Sequence, residues 1–239
     1  MSKLTSDQLA LLETVFSARG WLASQPADFR GRMLAISRKV NFGRGETLFR
    51  DGDPPGGMYG VITGGIGVML GPPRTSPRLG HILRSGDWFG ASPILSGGVR
   101  VFGYEAIEPS ALLLIPLNSL QDAARDNVDI MRRLGSHADR AVVLAAAVAS
   151  DLLIPQSARR VAAVLMRITA AEEGVRPDHP DGFMMSQTML AELCNVSRNY
   201  INRLLSQLNR NGWIATKYNH VSIINVPALL EFAYGDLEK

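Results

Sequence analysis

The stretch Val196-Ser197-Arg198-Asn199-Tyr200-Ile201-Asn202-Arg203, inside Gln187–Leu208, decides how this chain is read. Leu190, Leu193, Val196, Ile201, Leu204 and Leu205 recur at helical spacing and predict a small core between two helices. Asn195 falls where the turn between them needs a left-handed residue, which Asn tolerates better than most side chains. Ser197 is placed to cap the second helix, leaving its first amides free for a phosphate. Arg198, Asn199, Asn202 and Arg203 then share the face opposite the apolar one. Arg matches the O6/N7 edge of guanine and Asn the N6/N7 edge of adenine, so this face suits a major groove. Gly212 is a helix terminator. Beyond it, Trp213–Ala215 and Val221–Ile224 flank Lys217-Tyr218-Asn219-His220 as a short β-hairpin. Two helices followed by a hairpin make a winged helix-turn-helix. An ordinary helical hairpin with a solvated polar face is the alternative, but cap, turn, basic face and wing agree on the first reading.

The charge distribution points the same way. The whole chain of 239 residues carries a formal net charge of only +3. Between Cys194 and Leu230, however, it has no Asp or Glu, while Arg198, Arg203, Arg210, Lys217 and His220 lie there. That is the pattern of one anion-facing surface in a nearly balanced protein.

Working towards the N-terminus, a helix runs from after Ser186 to Leu193, preceded by the turn-rich segment Gly174–Gly182. Ser157 is a candidate cap for a helix carrying Val161, Ala162, Val164, Leu165 and Ile168. Pro155 stops or bends the long helix that follows Pro116. In that helix Leu134, Ala138, Ala141, Ala145, Val148 and Leu152 are spaced 4-3-4-3-4, the seam of a parallel self-pairing helix. From Val40 to Pro116 closely spaced glycines punctuate short apolar runs, Met58–Ile62, Ile66–Leu70, His81–Leu83 and Ala111–Ile115, which read as strands of a sandwich or barrel. Residues 1–38 show two irregular amphipathic stretches. The expected organisation is N-terminal helices over 1–38, a β domain over 39–117, a dimerisation helix over 118–154 and the winged helix-turn-helix over 155–239.

Composition excludes several classes. Hydrophobic residues make up 46% and charged residues 20%, too apolar for a disordered chain. One cysteine forbids a disulfide framework or a four-thiolate cluster within the chain. The longest apolar run, Ala141–Ala149, is about half of a bilayer span, and Asp7 and Glu13 interrupt the first apolar stretch, so a soluble, cytoplasmic protein without a membrane partner is expected. Paired acid and base groups, a Gly-x-Ser-x-Gly elbow and a phosphate-binding P-loop are all missing, which argues against an enzyme.

The sequence resembles the Crp–Fnr family of bacterial transcription regulators over nearly its whole length. Gly45-Glu46-Thr47-Leu48-Phe49 with Gly52-Asp53, Gly86-Asp87-Trp88-Phe89-Gly90 and Val196–Arg203 carry the resemblance, in the family's order and spacing. It implies an α+β chain: an N-terminal double-stranded β-helix, the cyclic-nucleotide-binding-like jelly roll, then a long dimerisation helix and the C-terminal winged helix-turn-helix. It implies a homodimer on palindromic double-stranded DNA, with Arg198 and Arg203 contacting bases, Ser197 and Tyr200 near phosphates, and Thr188, Asn199 and Asn202 in the same interface. Many relatives have Glu where this chain has Asn199; Glu accepts from cytosine N4 and Asn prefers adenine, so a different operator base is expected there. His179-Pro180-Asp181-Gly182 is similar to a loop through which the catabolite activator protein touches RNA polymerase, which makes His179 and Gly182 candidate polymerase contacts.

The sensor residues depart from the pattern. Family members that bind cyclic nucleotides have Gly-Glu after the Gly-Asp-x-Phe turn, then Arg followed by Ser or Thr about ten residues on; the carboxylate accepts the ribose hydroxyl and the arginine neutralises the phosphate. Here the first pair is Gly90-Ala91, followed by Ser92, and Val101-Phe102 stand where Arg and the hydroxyl residue belong. Arg100 is one place off, which on a strand turns it to the opposite face. The effector pocket would thus comprise Gly90, Ala91, Ser92 and Arg100 in degenerate form. No cofactor is expected: the cysteines for a cluster are lacking, His81 and His137 are haem-ligand candidates only by residue type, and the clustered histidines of metal cupins are missing. Cys194 reads as a buried core residue, with a thiol switch beside the DNA surface as the minor alternative. Arg74, Arg78, Arg132, Arg133 and Arg140 read as solvated charges, and Arg159 and Arg160 as possible phosphate contacts. The alternative function is a cyclic-nucleotide- or other small-ligand-binding module acting without DNA readout.

Overall fold

A computed structural model describes residues 6–71, 75–125 and 127–235, side chains from residue 9 on; Arg74 lies outside the described residues. The chain divides into two units, residues 1–66 with 83–144, and residues 67–82 with 145–239. It is α+β, with an N-terminal β domain, a long helix and a C-terminal helix-turn-helix carrying a small wing sheet.

In the first unit α1 (Ser6–Ala18), α2 (Gly20–Ala23) and α3 (Ala27–Ala35) precede β1 (Arg38–Phe42), β2 (Thr47–Phe49) and β3 (Gly57–Thr63). Strands β6 (Trp88–Phe89), β7 (Gly103–Ala106) and β8 (Ser110–Pro116) follow; the intervening β4 (Ile66–Leu70) and β5 (Arg78–Leu83) fall almost wholly in the second unit. One antiparallel sheet has the order β1-β8-β3-β6, and β2 pairs with β7. Strand β8 is central and its Leu112, Leu113, Leu114 and Ile115 are all buried. Their inner side packs with Phe16, Trp21, Phe29, Met33, Met58, Trp88 and Leu120. Gly60 lies under the Trp88 indole, where a Cβ would come within 2.6 Å of the ring. Glycine is what lets β3 and that tryptophan share the space.

A single long helix was expected after Pro116, but the chain forms α5 (Leu117–Ala124) and then α6 (Val128–Leu153). The Asn127 carboxamide explains the restart: its Oδ1 accepts from the backbone N–H of Asp129 and Ile130 at 3.1 and 3.3 Å. The start of α6 belongs to the first core. Leu134, read as a seam residue, is fully buried there beside Ile130. His137 is also buried, with Nε2 donating to the Trp88 carbonyl at 2.8 Å and its ring against Trp21. Arg133 is held by Asp129 at 2.6 Å and lies over Phe29 rather than free in solvent. Further along α6, Ala141, Ala145, Val142, Val143, Leu152 and Leu153 are exposed.

In the second unit α7 (Ser157–Thr169) is capped at Gln156, so Ser157 is its first helical residue and not its cap. Strand β9 (Phe183–Met184), helix α8 (Gln187–Cys194), helix α9 (Arg198–Arg210), the hairpin β10 (Ile214–Lys217) and β11 (His220–Ile223), and α10 (Val226–Tyr234) complete it. The wing sheet has the order β10-β11-β9. The sequence reading lacked β9, too short to show a period, and α10. A buried polar group joins several of these elements: Asp151 binds Arg167 at 2.6 Å and accepts from the Tyr234 hydroxyl at 3.1 Å, and Arg167 also donates to His81 Nδ1 at 2.8 Å.

Candidate nucleic-acid interface

Helices α8 and α9 follow the local chemistry residue by residue. Ser186 Oγ accepts from Met189 N at 3.1 Å and starts α8; Asn195, at φ +50°, ends it in the left-handed region; Ser197 Oγ accepts from Tyr200 N at 3.2 Å and starts α9. Ile201, Leu204, Leu205 and Leu208 are buried, whereas Arg198, Asn199, Asn202, Arg203, Ser206 and Arg210 are exposed. Tyr200 is half-buried and Thr188 exposed at the start of α8. Between α9 and the wing runs a groove of about 470 Å³, lined among others by Thr188, Arg198, Asn202, Ser206, Lys217 and Tyr218, with no Asp or Glu on its walls. Tyr218 is 90% exposed at the tip of the hairpin. Such a surface presents cations and amides without acids, which fits the anionic edge and the base edges of a duplex.

One reading of a neighbouring residue is corrected. Arg160 is not free for phosphates: it donates to the carbonyls of Cys194 at 3.0 Å and Ile154 at 2.6 Å, satisfying orphan acceptors at two helix ends. Arg159 likewise donates to the Ala233 carbonyl at 3.3 Å. Burial pushes the Cys194 thiol up to about 12, so the thiolate that oxidation requires is scarce at neutral pH.

In the first unit, the expected effector residues come together only in part. Arg100 does not turn outward. It is 2% exposed, donates to the carbonyls of Gly90 at 2.7 Å and Gly57 at 2.8 Å, and its guanidinium carbon lies 3.9 Å from the centre of the Phe49 ring. Phe49, Tyr59, Phe89 and Tyr104 cluster there, ring centres 4.5–6.2 Å apart, with Phe89 stacked on Tyr59 and on Tyr104 and Phe49 tilted against all three. Burial lowers the Arg100 pKa and raises that of Tyr104 to about 12. Gly90, at φ +90°, approaches the guanidinium so closely that a Cβ would lie 2.7 Å from Nη1. Ala91 is buried and offers no carboxylate, and Ser92 is exposed at the start of the short helix α4 (Ser92–Ser96), which follows β6. Val101 and Phe102 are exposed. The haem-ligand candidates are both engaged, His137 by Trp88 and His81 by Arg167.

One group of residues escaped the sequence reading. His179 and Asp181 in the loop before β9, and His220 at the start of β11, bring their ligand atoms within 4.8 Å of one another. They are far apart in sequence, and only the pairing of β11 with β9 joins them.

The chain matches the family description "Cyclic nucleotide-binding domain" over residues 39–127 and "Crp-like helix-turn-helix domain" over residues 159–232. It is 25% identical over 189 residues to the CRP-like cAMP-activated global transcriptional regulator of Mycobacterium tuberculosis, covering 77% of this chain and 83% of that one. It is 26% identical over 209 residues to the fumarate and nitrate reduction regulatory protein of Escherichia coli, covering 83% and 79%. In fold it is similar to FixK2 from Bradyrhizobium japonicum, with a TM-score of 0.66 and 20% identity over 83% of this chain and 98% of that one.

Proposed function

We propose that this chain, which belongs to the Crp–Fnr family of DNA-binding transcription regulators, acts as a homodimer that reads a palindromic operator without requiring a cyclic nucleotide. The family is regulatory and not enzymatic, and among the described residues no helix is long and apolar enough to cross a membrane. The observation that carries the proposal is the outward face of α9: Arg198, Asn199, Asn202 and Arg203, exposed beside an acid-free groove and a wing. Arg198 and Arg203 would read bases, Asn199 would select adenine at its position, and Ser197, Tyr200 and Thr188 would hold phosphates. The homodimer is supported by the exposed apolar surface of α6, where Val142 and Val143 are each over two-thirds exposed. Two parallel copies would bury that surface and present two α9 helices to half-sites about one helical turn apart. The exposed His179 turn leaves the polymerase contact sterically open.

Independence from cyclic nucleotide rests on the pocket chemistry. The M. tuberculosis relative is described as cAMP-activated, but this chain has Ala91 in place of the carboxylate, and the Arg100 Nη atoms are taken up by main-chain carbonyls. One observation favours a second reading, a small-anion effector: Arg100 Nε is buried and has no hydrogen-bond partner among the described residues.

Selection of bound sequences from random duplex DNA by the metal- and ligand-free protein tests both readings. The expected result is an enriched palindrome, unchanged by cyclic AMP or cyclic GMP, with adenine at the position facing Asn199. Arg198→Ala should weaken the selected site by about 1–3 kcal/mol and random DNA far less. No enrichment without nucleotide, or equal loss on both DNAs, overturns the proposal as stated.

A further inference from the structure

The turn before β9 is fixed against the wing. Gly182 N donates to the His179 carbonyl at 3.0 Å, and Gly182 holds φ +117° with its Cα so close to β11 that a Cβ would lie 2.5 Å from Ser222 Oγ and 2.6 Å from the Val221 carbonyl. Only glycine permits that approach. The result places the His179 ring over the His220 ring, centres 4.6 Å apart and planes 18° from parallel, with the Asp181 carboxylate beside them.

We propose that His179, Asp181 and His220 form a binding site for a divalent transition-metal cation of the zinc, nickel or copper type at the base of the wing. Two imidazoles and one carboxylate are a borderline-soft donor set, suited to these ions and poorly suited to magnesium or calcium. Three protein donors also leave room for a water on the metal. The tautomer of His220 is already set: its Nδ1 lies 2.8 Å from the Tyr218 carbonyl, which can only accept, so Nε2 carries the free lone pair. His179 Nδ1 accepts from Asp181 N at 3.2 Å and lies 3.9 Å from Asp181 Oδ2, so its lone pair faces the same side of the turn as the carboxylate, and an ion bound there would take the place of that N–H. A cation already sits on this carboxylate, the Lys217 ammonium, and that contact holds the Asp181 carboxyl below its usual pKa.

Ligand atoms up to 4.8 Å apart must close to about 3.3 Å, the edge of a tetrahedron with bonds of about 2.0 Å. Side chains 51% exposed at His179 and 33% exposed at Asp181 have the rotamer freedom for that. The ion would displace Lys217 from Asp181. On the DNA-binding reading above, this releases an exposed wing cation for a phosphate, and one further phosphate contact steepens the salt dependence by about 0.9 in log–log slope.

The test uses the full chain without a polyhistidine tag, stripped with a chelator and titrated with Co²⁺ as a visible probe, then with competing Zn²⁺. One equivalent per chain with d–d absorption bands, bleached by Zn²⁺, is the expected result. His179→Ala, His220→Ala and Asp181→Asn, each checked for wild-type circular dichroism, should each weaken uptake by about tenfold or more, since even outer-shell changes cost that much. Wild-type protein without d–d bands overturns the site, and so does uptake that none of the three substitutions alters. This readout contains no DNA, so its failure is distinct from a failure of the operator selection, which contains no metal.

Discussion

Asp151→Asn isolates the buried polar group that ties the end of α6 to α7 and α10. Asp151 and Arg167 have side chains only 5% and 8% exposed, 2.6 Å apart. The substitution keeps the shape and leaves an acceptor for the Tyr234 hydroxyl, but it strips Arg167 of its counter-charge. Removing one partner of such a buried pair costs about 3–5 kcal/mol, mostly because the other charge stays buried. His81 Nδ1, at 2.8 Å, can accept from Arg167 but cannot neutralise it. At about 1.4 kcal/mol per tenfold, the loss corresponds to roughly 10²–10⁴-fold faster exchange of the most protected α7 amides. Native-state hydrogen exchange reads this within the second unit alone, without assuming that the whole chain unfolds in one step. Asp151→Leu combined with Arg167→Met removes both charges and should recover most of the protection, because an apolar pair of similar volume is often neutral against an ion pair. Exchange within a few-fold of wild type in Asp151→Asn, or a double variant no better than the single one, would refute the reasoning.

Two further outcomes follow from the same physics of burial. Burial lowers the His137 pKa below its ordinary value of 6.5, outweighing the bond to the Trp88 carbonyl. The unfolded chain therefore binds the proton more readily, and the first unit should lose stability as pH falls below about 6.5, by up to about 1.4 kcal/mol per pH unit for this one proton. His137→Gln keeps a donor for Trp88 and should flatten urea midpoints between pH 7 and 5; an unchanged slope would assign the effect elsewhere. Cys194, a thiol at neutral pH by its raised pKa, should resist iodoacetamide in the native protein and react at the ordinary rate in denaturant, and Cys194→Ala should bind the selected operator as wild type does. Rapid native alkylation that abolishes DNA binding would instead restore the thiol switch.

What was legible in the sequence is what local chemistry decides. Ser186, Asn195 and Ser197 act within one turn of their own position, so caps and turn could be placed from residue type, and α9 follows its apolar period to within a residue. Strand alternation puts Arg100 on the opposite face, but no strand exists at that position: β7 begins only at Gly103. The segment before it is held by irregular main-chain bonds, Arg100 N to the Asp53 carbonyl and Gly52 N to the Arg100 carbonyl, both 2.8 Å, and these turn the side chain inward. Helix α6 misled differently. One period runs along it, but the surface it faces changes, so Leu134 serves its own core while Ala141 and Ala145 stay open. No pattern of spacing could have joined His179 to His220, since strand pairing alone does so.

The positions of the charges bear on where regulation can act. An effector shifts this protein only by its differential affinity for the DNA-competent state. In the β domain the Arg100 guanidinium is held by carbonyls and lies over the Phe49 ring, with Ala91 where a carboxylate would follow Gly90; on the reading proposed above, a nucleotide would have few contacts there to make or break. At the wing, the proposed cation would change the local charge by two and free Lys217, on the hairpin that borders the recognition groove. A ligand acting there needs no transmission through the fold, because its energy is delivered to the surface that meets the phosphates.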